Sequence, residues 1–186
     1  MNILDAIYTR QSVGNVRPDA VPREVIEQLL GAAVQAPSHY KTRPWRFTVL
    51  TGKGRERLGE VLVQSLLRRN PDAPEALLES ERKMPLRAPL LIAVGIDKPD
   101  QPKVIEIENV CAGAAAVQNL LLAAHALGLA AKWRTGSCAY NEDVKAFLGL
   151  EPDQHLIALV YIGYPESERE PLQRPDYSDR VTWLDN

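Results

Sequence analysis

One long helical stretch constrains the fold of this chain more than any other part of its sequence. Residues 104–127 have the spacing of a single helix, and from Val110 onward the side chains are apolar on nearly every face. Such a helix is either buried on all sides or crosses a membrane. Polar residues interrupt the run, and Glu106 and Glu108 flank it, which argues against a membrane span. We therefore predict a central core helix, and we expect its complete burial to require a second subunit on one side.

Shorter patterns on both sides of this helix predict a protein built of helices and strands. Residues 90–96 are a run of seven aliphatic or small residues, which is typical of a strand covered on both faces. Other strands are predicted at residues 45–50, 129–134 and 156–163. Other helices are predicted at residues 2–9, 22–35, 56–69 and 141–148, with a charged amphipathic stretch at 75–83.

The chain shows no internal repeat and no linker, so we expect one domain over residues 1–186. The segment 164–186 has no clear period and too few apolar residues for a core of its own. It is either disordered or an arm that packs on another surface, and its aromatic residues favour the arm.

Composition excludes several classes of partner. The formal net charge is -2, which gives no reason to expect binding to nucleic acid or to an anionic membrane. Cys111 and Cys138 are the only cysteines and form neither a metal-ligand cluster nor a disulfide framework, so we predict no metal site and a reducing compartment. The first residues lack the basic and apolar regions of a secretory signal, which predicts a cytoplasmic protein.

Motifs of several enzyme classes are also absent from the sequence. It has no glycine-rich dinucleotide fingerprint, no phosphate-binding loop ending in Gly-Lys-Ser/Thr, and no Gly-x-Ser-x-Gly elbow. His125 is expected to interact with a helix C-terminus, and His155 is expected at the surface. Cys138 has no partner base nearby in the sequence that would make it a nucleophile.

Three short polar segments are candidates for binding. Residues 36–45 form an ordered, proline-bounded loop with an imidazole and two cations, and this loop is either a binding segment or a solvated connection. Arg10-Gln11-Ser12 is either an anion clamp or a cation favourably placed at a helix end. Residues 132–136, KWRTG, are either a ligand-binding strand end or an edge strand with outward charges.

Taken together, these segments resemble the nitroreductase family of flavin mononucleotide (FMN) enzymes over nearly the whole chain. The opening helix leads to Arg10-Gln11-Ser12, where that family commonly has Arg-Arg-Ser. The other matching stretches are Ala36-Pro37-Ser38, Pro44-Trp45-Arg46-Phe47, the helix sequence CAGAAAVQNL at residues 111–120, and Trp133-Arg134-Thr135-Gly136. The loop with His39 and the Trp-Arg pair are most similar to a compact subgroup of small bacterial nitroreductases.

The resemblance implies an α+β, nitroreductase-like fold. Its central sheet is mixed but mostly antiparallel, is flanked by helices and packs on a long buried helix. The resemblance also implies an obligate homodimer with FMN at each of two subunit-interface sites. The C-terminal arm, residues 164–186, would pack on the partner subunit.

In this picture each flavin is held by residues of both subunits. Arg10, Gln11 and Ser12 would hold the phosphate and ribityl end of FMN. Gln35 and His39 would reach the same flavin from the other subunit. The site would be completed by Trp133, Arg134 and Thr135, with Arg134 serving either the phosphate or the pyrimidine edge of the ring.

The reaction implied by the resemblance is a hydride transfer in two halves. NADH or NADPH gives hydride to the flavin N5 and leaves, and a nitroaromatic, quinone or similar electron-poor acceptor is then reduced in the same cleft. No catalytic side chain is required, because the flavin carries the difficult chemistry. Two alternatives stay open: a flavin-binding carrier or sensor without general reductase turnover, and a ligand-binding or interaction domain without flavin.

Three positions depart from the family pattern. Gln11 replaces the second arginine, Lys41 stands where many members have asparagine, and Arg43 stands where many have glutamine. Lys41 and Arg43 would either meet an anionic substrate or the phosphate of the nicotinamide cofactor, or be solvated loop cations. They are the predicted positions of substrate or nucleotide specificity.

Overall fold

The protein is described from a computed structural model covering residues 1–167, 170 and 172–184. Six α-helices and four strands in these ranges follow one another along the chain. The helices are α1 (Ile3–Thr9), α2 (Arg23–Ala33), α3 (Gly52–Arg69), α4 (Glu75–Lys83), α5 (Glu106–Ala126) and α6 (Glu142–Phe147). The strands are β1 (Trp45–Leu50), β2 (Leu90–Ile96), β3 (Ala130–Arg134) and β4 (His155–Gly163).

Local chemistry explains where several of these helices begin. The side chain of Asn2 accepts a hydrogen bond from the backbone N–H of Asp5, and the Asp5 carboxylate accepts one from the backbone N–H of Asn2. Helix α1 therefore begins with a capping box. Asn141 caps the start of α6, as the sequence predicts. The predicted start of α3 at residue 56 is wrong, because the helix begins at Gly52. Glycine lowers helix propensity but is tolerated at a helix start, where only part of the hydrogen-bond pattern is needed.

The four strands form one sheet in the order β1-β2-β4-β3, and all neighbouring pairs are antiparallel. A single parallel bridge, between Ser12 and Ala131, extends this sheet beyond β3. Alternation along each strand sends side chains to two opposite cores. On β2, Leu90 and Ile92 enter a core shared with α2 and α5, whereas Leu91 enters a core shared with α3 and α6. The predicted burial of β2 on both faces is confirmed.

Helix α5 is the central helix of the fold, as predicted. It packs on the sheet and on α2, and four alanine and leucine side chains at helical spacing face that core: Ala112, Ala116, Leu120 and Ala124. Helix α5 is long enough and apolar enough to cross a membrane. The buried core helices of soluble proteins can have the same length and composition. Of the 18 consecutive residues of α5 that are most apolar, only 44% are buried within one chain. The exposed residues Ile107, Cys111 and Gln118 recur at helical spacing, so one side of α5 is only partly covered within one chain.

The predicted C-terminal arm begins by packing on its own chain. Pro165 forms an antiparallel bridge with Val16, and the backbone N–H of Arg17 donates to the carbonyl oxygen of Tyr164. Five residues of the predicted arm (168, 169, 171, 185 and 186) lie outside the described residues. The described part thus places the start of the arm beside the loop that follows α1.

Candidate functional site

The segment Arg10-Gln11-Ser12 lies at the open edge of β3. Helix α1 ends at Thr9, and the backbone of the next residue, Arg10, is extended, with φ -59° and ψ 131°. The next residues then run alongside the sheet, since Ser12 bridges Ala131 and the backbone N–H of Val13 donates to the Ala131 carbonyl oxygen at 3.1 Å. Two of the three predicted segments, far apart in sequence, are therefore neighbours in the fold.

A cleft of about 470 Å³ opens between this segment, the end of α5 and the start of β3. Its apolar surface comes from residues such as Leu121, Leu129 and Ala131, and its polar groups from Arg10 and His125. An apolar cleft with a few convergent polar groups is the usual form of a small-molecule site. The remaining lining residues are Met1, Thr9, Gln11, Val13, Gly128, Ala130, Pro165 and Ser167.

Arg10 brings a positive charge to this cleft. Among the described residues, no carboxylate oxygen lies within 4 Å of its guanidinium. Arg174 from the C-terminal segment donates from Nη2 to the carbonyl oxygen of Arg10 at 3.0 Å. Partial burial, and then the charge of Arg174, lower the pKa of Arg10, which still leaves an arginine protonated at neutral pH. Within the part of the chain that the structure describes, neither Arg10 nor Arg174 is paired with a carboxylate. Two adjacent cations of this kind favour a bound anion, and phosphate fits the guanidinium donors well.

His125 belongs to this cleft, which the sequence did not indicate. Its Nε2 lies 2.7 Å from the hydroxyl oxygen of Thr9, and that hydroxyl donates to the carbonyl oxygen of Asp5 at 2.6 Å. The hydroxyl has one proton, so it accepts from His125, and the imidazole carries its proton on Nε2. Burial, and then the charge of Arg10, lower the pKa of His125, which keeps it neutral at pH 7.

Gln11 and Ser12 present different groups to the surroundings. The Gln11 side chain donates from Nε2 to the backbone carbonyl of Glu170 at 2.9 Å, so the C-terminal segment also holds this residue. Ser12 is exposed beside the sheet edge. Neither Arg174 nor Glu170 could be identified from the sequence, because the C-terminal segment has no hydrophobic period that would place it.

The end of β3 divides its side chains between the two faces of the sheet. Trp133 points to the α5 side, packs on that core and donates from Nε1 to the carbonyl oxygen of Ile157 at 2.9 Å. Arg134 points to the other side, where its guanidinium carbon lies 5.7 Å from the centre of the Tyr161 ring. Thr135 is exposed at the strand end and lines a different cleft of about 610 Å³.

The remaining predicted residues lie at the opposite end of α5. His39 is exposed, and its Nε2 lies 3.9 Å from a carboxylate oxygen of Glu108 in the first turn of α5. Gln35 is exposed just after α2, and its side chain donates to the carbonyl oxygen of Gly31 at 3.2 Å. A helix rises 1.5 Å per residue, so Glu108 and His125 are about 25 Å apart along α5. Within one chain, His39 and Arg10 therefore cannot contact the same small ligand.

The other groups that could carry chemistry are accounted for structurally. Burial raises the pKa of the Cys138 thiol to about 11, so it is not a thiolate nucleophile at neutral pH. His155 is at the surface, as predicted, and its Nε2 contacts a carboxylate oxygen of Glu106. In the described ranges no group of three or more histidine, cysteine, aspartate or glutamate residues could hold a metal ion.

Comparison with known proteins agrees with this geometry. The model of the nitroreductase family matches residues 7–164. The chain belongs to the nitroreductase family. The match includes the Arg10 segment, the whole sheet and α5, and the predicted family and α+β fold are confirmed.

Relatives of similar size match along nearly the full chain. Escherichia coli (strain K12) YdjA, provisionally named an NAD(P)H nitroreductase, is 29% identical over 99% of this chain and 100% of its own. A nitroreductase-like protein from Bacillus cereus has a structure with a TM-score of 0.85 and 26% identity, covering 100% of this chain and 97% of its own. A Desulfovibrio desulfuricans protein, provisionally named a nitroreductase and solved in complex with FMN, has a TM-score of 0.74 and 26% identity, covering 100% and 97%.

Proposed function

We propose that this protein is an FMN-dependent oxidoreductase that transfers hydride from NAD(P)H to a nitroaromatic, a quinone or a similar electron-poor acceptor in a ping-pong cycle. The observation that carries the proposal is that Arg10, which lines an apolar cleft, is joined by the second cation Arg174. FMN has the matching features, since it joins a phosphate to an apolar ring system. Relatives provisionally named as nitroreductases, one of them solved with FMN, support this assignment.

The residues at the cleft fit the phosphate end of FMN. Arg10 would donate to the phosphate, the exposed hydroxyl of Ser12 would add a donor, and Arg174 would hold Arg10 in place while adding charge. The neutral His125 would fix the end of α1 through Thr9 and so orient the guanidinium. When bound, FMN supplies the hydride-accepting and hydride-donating centre that no side chain of the chain provides.

The end of β3 would lie beside the flavin ring. Its backbone at Trp133, Arg134 and Thr135 is the proposed contact, because the Trp133 and Arg134 side chains are engaged on opposite faces of the sheet. A rigid strand end would hold the reacting atoms in a fixed orientation. The apolar surface of the cleft would exclude water from the transferred hydride.

A symmetric dimer would complete the site. Exposed or half-buried residues at helical spacing form an open stripe on α5: Ile107, Cys111, Ala114, Gln118 and Leu122. Two copies of α5 that cross antiparallel near their middles would bury this stripe on both chains. The Glu108 end of one helix would then face the His125 end of the other. Gln35 and His39 would reach the flavin held by Arg10 of the partner.

The predictions of a single domain, a C-terminal arm and a cytoplasmic location also belong to this proposal. Residues 1–186 would form a single domain. The arm, residues 164–186, begins with contacts to its own chain, and the rest of it would pack on the partner subunit. The ordinary composition and the two free cysteines are compatible with a cytoplasmic enzyme.

The decisive experiment is an absorption spectrum of the purified protein, followed by anaerobic addition of NADH or NADPH. We expect bound flavin that bleaches with at least one nucleotide, and steady-state oxidation of that nucleotide when a quinone or nitroaromatic is added. Flavin that binds but never turns over with several acceptors would indicate a carrier or sensor instead. A protein that stays colourless after incubation with excess FMN would refute the proposal.

A further inference from the structure

The loop between α2 and β1 has a backbone conformation that is unusual for its residues. Tyr40, Lys41 and Arg43 have φ values of 49°, 58° and 47°, in the left-handed region. No other non-glycine residue in the described part of the chain has a positive φ. Side chains larger than glycine adopt this region at a cost in free energy, so surrounding contacts must maintain it. Such conformations cluster at ligand clamps and active sites.

A short chain of hydrogen bonds maintains the loop. The hydroxyl oxygen of Ser38 accepts from the backbone N–H of Arg43 at 3.2 Å, and Thr42 donates from its hydroxyl to Oδ1 of Asn109 at 3.1 Å. Asn109 in turn donates from Nδ2 to the carbonyl oxygen of Asp97 at 3.2 Å. Asn109 is only 2% exposed, so the loop is fastened to a buried point at the start of α5. The exposed side chains therefore project from a rigid support.

The loop presents two cations and an aromatic surface to solvent. Lys41 and Arg43 are both exposed, and within the described ranges no carboxylate oxygen lies within 4 Å of either. Tyr40 is 55% exposed, and its ring meets the ring of His39 edge-on with centroids 4.3 Å apart. The His39 contact leaves part of the Tyr40 ring open. A ligand that combines an aromatic base with a strong negative charge matches this surface.

We propose that this loop binds the adenosine 2′-phosphate portion of NADPH and makes the enzyme selective for NADPH over NADH. The inference rests on the proposed function, in which a reduced nicotinamide nucleotide is the hydride donor. A phosphate monoester carries close to two negative charges at pH 7, which Lys41 and Arg43 can share. Arginine meets two phosphate oxygens at once. Tyr40 can stack on the adenine, which is attached to the same ribose as the 2′-phosphate.

The position of the loop agrees with this role. In the proposed dimer the start of α5 of one chain faces the Arg10 cleft of the other, so the loop lies beside the flavin of the partner. His39 would contact the flavin, and the following residues would extend outward along the nucleotide. Arg10 and Arg174 would serve the phosphate of FMN, and the loop cations would serve the phosphate that distinguishes NADPH.

The test compares donors in the FMN-loaded dimer with a neutral quinone as acceptor. The variant combines Lys41→Asn and Arg43→Asn, since asparagine tolerates the left-handed region and keeps the loop shape. We expect kcat/KM for NADPH to fall about thirtyfold, the scale of charge-assisted hydrogen bonds to a phosphate, and that for NADH to change less than twofold. Lys53→Asn is the control, because Lys53 is an exposed lysine at the start of α3 that lies outside the loop.

A binding measurement separates recognition from turnover. By calorimetry, adenosine 2′-monophosphate should bind the FMN-loaded dimer at least tenfold more tightly than adenosine 5′-monophosphate, and the double variant should lose this difference. Equal use of NADH and NADPH by the unmodified enzyme, or equal losses for both donors in the variant, would overturn the inference. So would a double variant that keeps kcat/KM for both donors with the neutral quinone and loses activity only when a carboxylated acceptor replaces it. None of these outcomes contradicts the proposed function. That proposal fails if the protein binds no flavin, if neither nucleotide reduces the bound flavin, or if the reduced flavin turns over with none of several acceptors.

Discussion

Arg10 is the residue whose charge most directly tests the proposed site. In the Arg10→Ala variant a phosphate in the cleft loses its charge-assisted hydrogen bonds, while Arg174 remains nearby. We expect FMN binding to weaken by about 2–3 kcal/mol. Quenching of flavin fluorescence measures this affinity, and a change below twofold would show that Arg10 does not hold the phosphate.

His125 makes the stability of the folded protein depend on pH in a predictable direction. Burial and the charge of Arg10 lower the pKa of His125 in the folded protein, whereas the unfolded chain has the ordinary value of about 6.5. Below pH 6.5 the unfolded chain therefore gains a proton that the folded protein does not bind. The contribution of His125 to stability is present above that pH and is lost as the pH falls towards the folded pKa.

Urea unfolding of the flavin-free protein at pH 7.5 and pH 5.5 tests this sign. We expect the midpoint of the unmodified protein to fall more between the two pH values than that of His125→Gln. Glutamine can still donate to Thr9 but does not titrate in this range. An identical fall in both proteins would mean that His125 titrates alike in the folded and unfolded states.

At the scale of elements, two helical glycines with opposite surroundings form a matched pair. A Cβ on Gly59 of α3 would lie 2.4 Å from the backbone carbonyl oxygen of Arg82, so α3 and α4 can approach each other only because that position lacks a side chain. A Cβ on Gly31 of α2 would meet nothing within 4 Å.

Alanine at these two positions should have opposite effects on stability. Alanine favours a helix over glycine by about 1 kcal/mol, so Gly31→Ala should stabilise the protein by up to that amount. Gly59→Ala should destabilise it by roughly 1–3 kcal/mol, because the clash involves backbone that cannot turn away. Thermal or urea unfolding measures both. Equal stabilisation by the two substitutions would show that α3 and α4 are not packed this closely.

Elements with a strong local pattern were predictable from the sequence. The bounds of β1 and β2 agree with the prediction, because alternation and apolar runs report burial directly. Helix α2 ends at Ala33 instead of Gln35, since Pro37 and the turn before it stop the helix early. The start of α3 was missed because glycine weakens a helix pattern without preventing a first turn.

The candidate site was only half predictable, for a different reason. The chemistry of Arg10-Gln11-Ser12 is local and visible in the sequence. The contact of Thr9 with His125 joins residues 116 positions apart, and the contact of Arg174 with Arg10 joins residues 164 apart. Both contacts depend on tertiary packing, which the local periodicity of the sequence does not reveal. The separation of His39 from Arg10 by the length of α5 likewise follows only from the fold.

At the scale of the whole molecule, the open stripe on α5 and the divided site suggest one experiment. In the proposed dimer each flavin is held by Arg10 of one chain and His39 of the other. A homodimer of Arg10→Ala chains lacks one flavin contact at both of its sites, and so does a homodimer of His39→Ala chains. A mixed dimer has one site with both defects and one site with none.

Mixing the two purified variants under conditions that exchange subunits should therefore give activity above that of either variant alone. Random exchange makes half of the dimers mixed, so roughly a quarter of all sites become intact. Turnover and flavin content of the mixture should rise together to about that fraction of the unmodified enzyme. Two differently tagged chains allow the mixed dimer to be isolated, and its flavin content should be about one per dimer. A mixture no more active than its components, with subunit exchange demonstrated by the tags, would mean that His39 and Arg10 do not serve a shared site.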